Sequence, residues 1–321
     1  MSVLPQTPSN SRYQILALSG GGYRGLYTAS FLEDCETTYN AACKDKFDLI
    51  AGTSIGALLA AGLSLGVSAK ALKLAMLKHG PLIFEQKRLA FLNRFFLKAP
   101  YETKVLRDAI EEVLGNDAAL MPLSEVDAPL LISTVNYTTG ASAILASRGV
   151  AGKAASPTPV VDAILASAAA PTFFPLKKTG TDQFADGGLV ANAPDMVALI
   201  DCIATKRATL EDIYMLSIGT AGRREGAAVH SVALNPSILS WFFYRGLIQT
   251  TMAAQEDLAL AQASALLGDR HLRIDREPAK KQVASISSLD KADGKATDTL
   301  ESLAKATFDD FKANRKLRAF F

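Results

Sequence analysis

Two short apolar runs each end in a glycine-rich turn, and this pairing constrains the fold more than any other feature of the chain. Residues 13–18 run into Ser19-Gly20-Gly21-Gly22-Tyr23-Arg24-Gly25, and residues 47–51 run into Gly52-Thr53-Ser54-Ile55-Gly56. Both runs are short, apolar and bounded by glycine, so they read as buried strands. A helical stretch follows each turn: residues 26–39 after the first, and the small-residue run 55–65 after the second. Strands alternating with helices build a layered α/β fold around a mostly parallel sheet.

The same alternation continues downstream. Residues 129–135 and 141–146 read as strands, 160–169 as a helix closed by Pro171, 183–185 as a short strand, and 213–218 as another strand ending at Gly219. The segment 277–295 is charged and poor in large apolar residues, and it reads as a linker. After it, Leu300, Leu303, Ala304, Phe308 and Phe311 recur at helical spacing, which predicts a final amphipathic helix packed back on the domain. The expectation is a three-layer α/β/α hydrolase domain over residues 13–225. Residues 226–321 would form a mostly helical extension packed on the same domain.

Composition narrows the function classes. Hydrophobic residues make up 49% of the 321 residues, enough for a sizeable core, and the net charge of +2 gives no whole-chain preference for nucleic acid. Cys35, Cys43 and Cys202 are few, odd in number and without metal-ligand spacing, so no disulfide framework, zinc site or other metal is expected. A reducing, cytoplasmic setting is the simplest reading. The start of the chain has no basic-then-apolar pattern of a secretory signal, and no run is long enough to span a membrane. Work on lipid would then require peripheral docking, from the cytoplasm onto the inner membrane.

The chemistry concentrates at the turns. Gly52-Thr53-Ser54-Ile55-Gly56 is a G-x-S-x-G between a strand and a helix, the context of a nucleophile elbow. The sharp turn needs small neighbours, lifts the Ser54 hydroxyl above the sheet edge, and aims a helix N-terminus at the reacting carbonyl. Gly20, Gly21 and Gly22 expose consecutive backbone N–H groups with no Cβ in the way, forming a nest for an oxyanion or a phosphate. Arg24 would shape that loop or attract an anionic head group. Gly20, Gly22 and Gly25 also spell a dinucleotide-type G-x-G-x-x-G, but the acidic residue expected at the end of the second strand is missing.

A serine hydroxyl needs a base. The chain has three histidines, His79, His230 and His271, none in a telling context. His79 reads as a helix-end residue and His271 as a surface or capping residue. The order Ser54, Asp186, then His230 or His271 would formally suit a triad. The alternative base is Asp186 itself, at a strand end in Phe184-Ala185-Asp186-Gly187-Gly188. Three readings therefore stand on the residues alone: a Ser54–Asp186 dyad, an esterase with a Ser-Asp-His triad, and a non-enzymatic nucleotide-binding module built on the glycine loop.

Two further stretches bear on lipid access. Residues 82–97 mix Phe84, Phe91, Phe95 and Phe96 with Lys87, Arg88 and Arg94, a pattern of an interfacial helix, a lid or an ordinary packed helix. Trp241-Phe242-Phe243-Tyr244 forms a second aromatic cluster, suited to lipid docking, a subunit contact or core.

Taken together, Gly20-Gly21-Gly22-Tyr23-Arg24-Gly25, then Gly52-Thr53-Ser54-Ile55-Gly56, then Asp186-Gly187-Gly188 resemble the ordered motifs of patatin-like phospholipases. The segments 166–175 and 216–220 are similar as well, although Ala221 stands where a glycine is common. The resemblance covers about residues 13 to 225 and implies a patatin-like fold. It also implies a Ser–Asp dyad without catalytic histidine, in which Ser54 is nucleophile, Asp186 base and the glycine loop the oxyanion hole. Neither metal nor cofactor is implied. Residues 241–255, 266–269 and 272–275 look like bacterial patatin-like antiphage effectors. In those systems a cyclic nucleotide switches on a phospholipase that degrades the host membrane, with homo-oligomerisation on activation as a further expectation.

Overall fold

In the computed structural model, described for residues 12–85, 99–151, 154–222 and 247–321, an eight-stranded mixed sheet carries helices on both faces. The strands are β1 (Tyr13–Leu18), β2 (Leu49–Thr53), β3 (Leu130–Asn136), β4 (Ala141–Ala146), β5 (Lys177–Thr179), β6 (Asp182–Asp186), β7 (Ile213–Ile218) and β8 (His271–Ile274). Their order is β5-β6-β3-β2-β1-β7-β8, with β4 paired to the other edge of β3. The neighbours β3, β2, β1, β7 and β8 run parallel.

Alternation along the central strands sorts their side chains between the two layers. Leu16 and Leu18 of β1 join one core, with the helices Gly25–Tyr39, Ile55–Ser64 and Gly294–Phe311. Ile15 and Ala17 join the other, with Ala198, Leu199 and Cys202 of the helix Asp195–Ala204. Both faces of β1 and β2 are covered, which explains their nearly unbroken apolar sequences. The helix Gly294–Phe311 buries Leu300, Leu303, Ala304 and Phe308, as its periodicity predicts, with Phe311 half-buried; a short helix, Arg315–Arg318, follows it.

Three details depart from the sequence reading. The second strand begins at Leu49 rather than residue 47, because the Phe47 N–H is taken at 3.1 Å by the Cys43 carbonyl, closing the preceding short helix Cys43–Lys46. The segment 277–295 is not a loose linker: it holds a short helix, Lys280–Val283, and buries Ser285, Ile286 and Asp290. Its polar residues are buried because they find partners, Ser285 with Thr299 at 2.9 Å and Asp290 with Tyr101 at 2.6 Å, which composition cannot reveal. The residues beyond 225 also supply β8, which extends the sheet beside β7.

The register explains how distant segments meet. β4 occupies one edge of β3 along its length, so β2 and β6 share the other. β2 ends where Thr53 faces Ser133, and β6, running the opposite way, ends where Asp186 faces Thr134. The carboxyl ends of the two strands thus meet head-on along β3, where β2 delivers the residue after its end, Ser54, and β6 delivers its last residue, Asp186, to the same point.

Ala221 has φ +53° and donates its N–H to Asp275 at 3.0 Å. A left-handed conformation is strained for a residue with a Cβ. Ala221→Gly is expected to raise stability by about 0.5–1 kcal/mol, measured as a higher denaturant midpoint at unchanged slope.

Candidate active site

Ser54 sits at the meeting point, between β2 and the helix Ile55–Ser64, at φ +57° and ψ −121°. The elbow is as tight as the motif demands. A Cβ on Gly52 would meet the Gly56 carbonyl oxygen at 2.1 Å, and one on Gly56 would meet the Leu18 carbonyl oxygen at 2.2 Å. Ser167 holds the turn: its hydroxyl accepts the Ser54 N–H at 2.8 Å and donates to the Ser133 carbonyl at 2.6 Å.

The Ser54 hydroxyl donates to Asp186 Oδ2 at 2.8 Å, and the Gly188 N–H donates to Oδ1 at 2.6 Å. Asp186 is 3% exposed, and burial pushes its carboxyl up to about 6, against the opposing pull of the Gly188 N–H and the Ser54 hydroxyl. The group is therefore a carboxylate at neutral pH, yet a far better proton acceptor than an exposed aspartate.

The glycine loop lies beside this pair and divides its amides. The Gly20 N–H is not available to substrate, because it donates to the Asn192 carbonyl at 3.0 Å. This corrects the expectation that Gly20 is an oxyanion donor. The Arg24 N–H is likewise used, on the Gly21 carbonyl at 3.2 Å, and its guanidinium lies against Gly222. The Gly21 and Gly22 amides donate to no acceptor among the described residues, and both residues line the same cavity as Ser54 and Asp186. That cavity measures about 600 Å³. Much of its wall is apolar, with Leu59, Met76, Leu106, Ile164, Phe173 and Phe174, while Glu256, Asp257, Arg273, Asp275 and Glu277 also line it.

Neither described histidine bonds to Ser54 or Asp186, although His79 lines the same cavity. His271 is buried, not at the surface: Nε2 pairs with Asp195 Oδ1 at 2.9 Å and Nδ1 with the Ser264 hydroxyl at 2.7 Å. It opens β8, so its ring points into the sheet layer despite the charged residues around it in sequence. His79 lies within the helix Ala69–Ile83, with Nε2 3.3 Å from Glu112 Oε2. His230 and Trp241-Phe242-Phe243-Tyr244 lie outside the described residues, as does most of the stretch 82–97.

The sequence reading missed a polar support behind the loop. Half-buried Arg273 of β8 donates to Glu256 at 2.8 Å, Asp275 at 2.9 Å, and the Ser19 and Ser217 hydroxyls, each at 2.9 Å. Glu256 in turn accepts from Asn192 Nδ2 at 2.6 Å, and its neighbour Gln255 donates to the Gly188 carbonyl at 3.0 Å. The helix Leu247–Leu267 thereby grips both the glycine loop and the turn after β6. The one signal in sequence was the alternation Leu272-Arg273-Ile274-Asp275, which marks a strand carrying charge on one face.

The family model for patatin-like phospholipase matches residues 16–199. The chain belongs to the patatin-like phospholipase family. It is accordingly a hydrolase of lipid acyl esters. Among curated proteins it is similar to a cGAMP-activated phospholipase of Pseudomonas aeruginosa, 34% identical over 90% of this chain and 86% of the relative. It is also similar to proteins of that name from Escherichia coli, at 32% over 97% and 93%, and Vibrio cholerae, at 31% over 97% and 95%. These matches extend past the patatin-like core into the region that holds the helix Leu247–Leu267 and β8. No described helix is long and apolar enough to cross a membrane.

Proposed function

We propose that this chain is a phospholipase A-type enzyme that cuts glycerophospholipid acyl esters with Ser54 and Asp186, under control of a cyclic nucleotide. The 2.8 Å contact between Ser54 Oγ and a buried carboxylate, at the wall of a largely apolar cavity, carries the reading. Ser54 Oγ attacks the ester carbonyl carbon and its proton passes to Asp186 Oδ2. The Gly21 and Gly22 amides, aided by the N-terminus of the helix Ile55–Ser64, take up the charge on the carbonyl oxygen. Collapse expels the glyceryl oxygen, which takes the proton from Asp186 and leaves an acyl-serine. Water then attacks that ester, Asp186 accepts its proton, and the fatty acid departs as Ser54 regains a hydrogen. The acyl chain lies along the apolar wall.

The curated relatives at 31–34% identity are named for activation by cGAMP, which supports a cyclic dinucleotide as the switch here. Such an enzyme would work on the inner membrane from the cytoplasm, in antiphage defence, and assemble into homo-oligomers when activated. Lipid product analysis tests the whole reading. Pure protein with phosphatidylglycerol–phosphatidylethanolamine vesicles should release free fatty acid and lysophospholipid when cGAMP is added, and Ser54→Ala should release neither. Equal release with and without cGAMP, or with any of a panel of cyclic di- and trinucleotides, would remove the switch. Release by Ser54→Ala would remove the nucleophile.

A further inference from the structure

The segment that looked like a linker lies directly on the glycine loop. The Leu289 carbonyl accepts the Tyr23 N–H at 2.7 Å. Gly22 has φ +58°, and a Cβ there would meet the same carbonyl oxygen at 2.3 Å. The next residue, Asp290, is buried; its Oδ2 accepts the Tyr101 hydroxyl at 2.6 Å and its Oδ1 accepts the Ser288 hydroxyl.

Tyr101 does not line the cavity itself but packs behind aromatic residues that do. Its ring stacks on Phe173, with centroids 6.4 Å apart and planes at 11°, and meets Phe84 edge-on at 5.3 Å. Its N–H donates to the Phe173 carbonyl at 3.2 Å. Phe84, Phe173 and Phe174 all face the cavity where an acyl chain would lie. A continuous path therefore runs from the aromatic wall through the Tyr101 hydroxyl, Asp290 and the Leu289 carbonyl to the Tyr23 amide, one residue from Gly22.

A loop of three glycines has wide backbone freedom, so outside contacts must set the direction of its amides. Tyr23 is held by its side chain as well: the hydroxyl lies 2.8 Å from Thr297 Oγ1, and the ring packs against Gly80. Those contacts hold the residue in place, whereas the Leu289 carbonyl fixes the Gly22–Tyr23 peptide and, through Gly22, sets the adjoining plane that carries the Gly22 N–H. Oxyanion stabilisation depends steeply on donor placement, so a small shift of that plane is felt in the rate.

We propose that Tyr101 and Asp290 are a positioning pair that couples the seating of the acyl chain on the aromatic wall to the setting of the Gly21 and Gly22 amides. The proposal rests on the reading of Ser54 as the nucleophile of an acyl hydrolase. A lipid whose chain reaches the wall packs Phe173 and Phe84 against Tyr101, which holds Asp290 and Leu289 on the loop. A short acyl chain does not reach the wall and gains nothing from the pair.

Steady-state kinetics on p-nitrophenyl palmitate and p-nitrophenyl butyrate, with cGAMP present throughout, test this, with thermal melting of each variant alongside. Tyr101→Phe keeps the ring and removes only the hydroxyl, so it carries the test even if an Asp290 variant fails to fold. It is expected to lower kcat on palmitate about tenfold while KM stays within about twofold, and to change butyrate hydrolysis much less. Asp290→Ala should match it, Asp290→Asn should retain most activity because its amide oxygen still accepts a hydroxyl, and the double variant should be no worse than Asp290→Ala. An unchanged kcat in Tyr101→Phe, equal losses on both esters, a change in KM alone or additive losses would each overturn the coupling. Ser54→Ala in the same assay keeps the two levels apart. If it still hydrolyses, the underlying reading fails; if it is silent while Tyr101→Phe is normal, only the pair fails.

Discussion

Replacing Ser54 is expected to reduce lipid hydrolysis by about a million-fold, to background, as loss of a nucleophile does elsewhere, and the choice of replacement should then report on the elbow itself. Ser54→Ala and Ser54→Gly both lose the hydroxyl and leave Asp186 Oδ2 without its 2.8 Å partner. They differ in the backbone. At φ +57° and ψ −121° a Cβ is crowded, and only glycine adopts this region freely. Ser54→Gly should therefore be more stable than Ser54→Ala by about 1–2 kcal/mol, despite the greater freedom glycine has in the unfolded chain. Denaturant midpoints at equal slope measure the difference. The reverse order would mean that the turn stores no strain, and that the small neighbours Gly52 and Gly56 serve packing alone.

The strain has a use. An unstrained residue at this point would continue β2 or begin the helix early, and its side chain would lie along the sheet. The turn instead presents Oγ to a carboxylate that arrives on an antiparallel strand from 132 residues downstream. The surroundings hold it there through the Ser167–Ser133 bonds and the head-on meeting of β2 and β6 along β3.

What could be read from the sequence was what local chemistry dictates. β1 and β7 were legible to the residue, because an apolar run bounded by polar or glycine residues leaves little choice. Ser54 and Asp186 were legible through their glycines, since close backbone approach leaves a mark in sequence. The division of labour within the glycine loop was not legible. Gly20 and Gly21 look alike in sequence, and only the Asn192 carbonyl, brought in by the turn after β6, takes the first amide away. The role of residues 287–290 was hidden for a related reason. A polar segment is buried when distant partners satisfy it, and Tyr101 lies 189 positions from Asp290. His271 misled because charge in its neighbours suggested solvent, whereas distant partners, Asp195 and Ser264, satisfy both ring nitrogens in the interior.

Asp186→Asn is expected to lower kcat/KM by about 1,000-fold and, unlike most substitutions at a buried polar residue, to stabilise the protein. The asparagine oxygen can still accept from Ser54 or Gly188, but it cannot take a proton. In the parent enzyme burial raises the carboxyl from 3.8 to about 6, and at about 1.4 kcal/mol per pH unit that makes the ionised form about 3 kcal/mol less favourable in the folded state. The sign follows from linkage. The folded state binds this proton more tightly than the unfolded state, so Asp186 favours folding below the ordinary carboxylate value, and that advantage is lost as pH rises through about 6. Asp186→Asn lacks this loss. The variant should gain on the parent between about pH 4 and pH 6, and hold a melting temperature roughly 5 °C higher from there upward. The parent's kcat/KM should move the opposite way, rising with pH through about 6 as the carboxylate forms. Stability would thus be lost over the same pH range in which activity is gained, because one ionisation governs both. A parent whose activity is flat from pH 5 to pH 8 would show that the buried carboxylate is not the group that takes the proton from Ser54, and a variant no more stable than the parent at pH 8 would show that burial does not disfavour its ionised form.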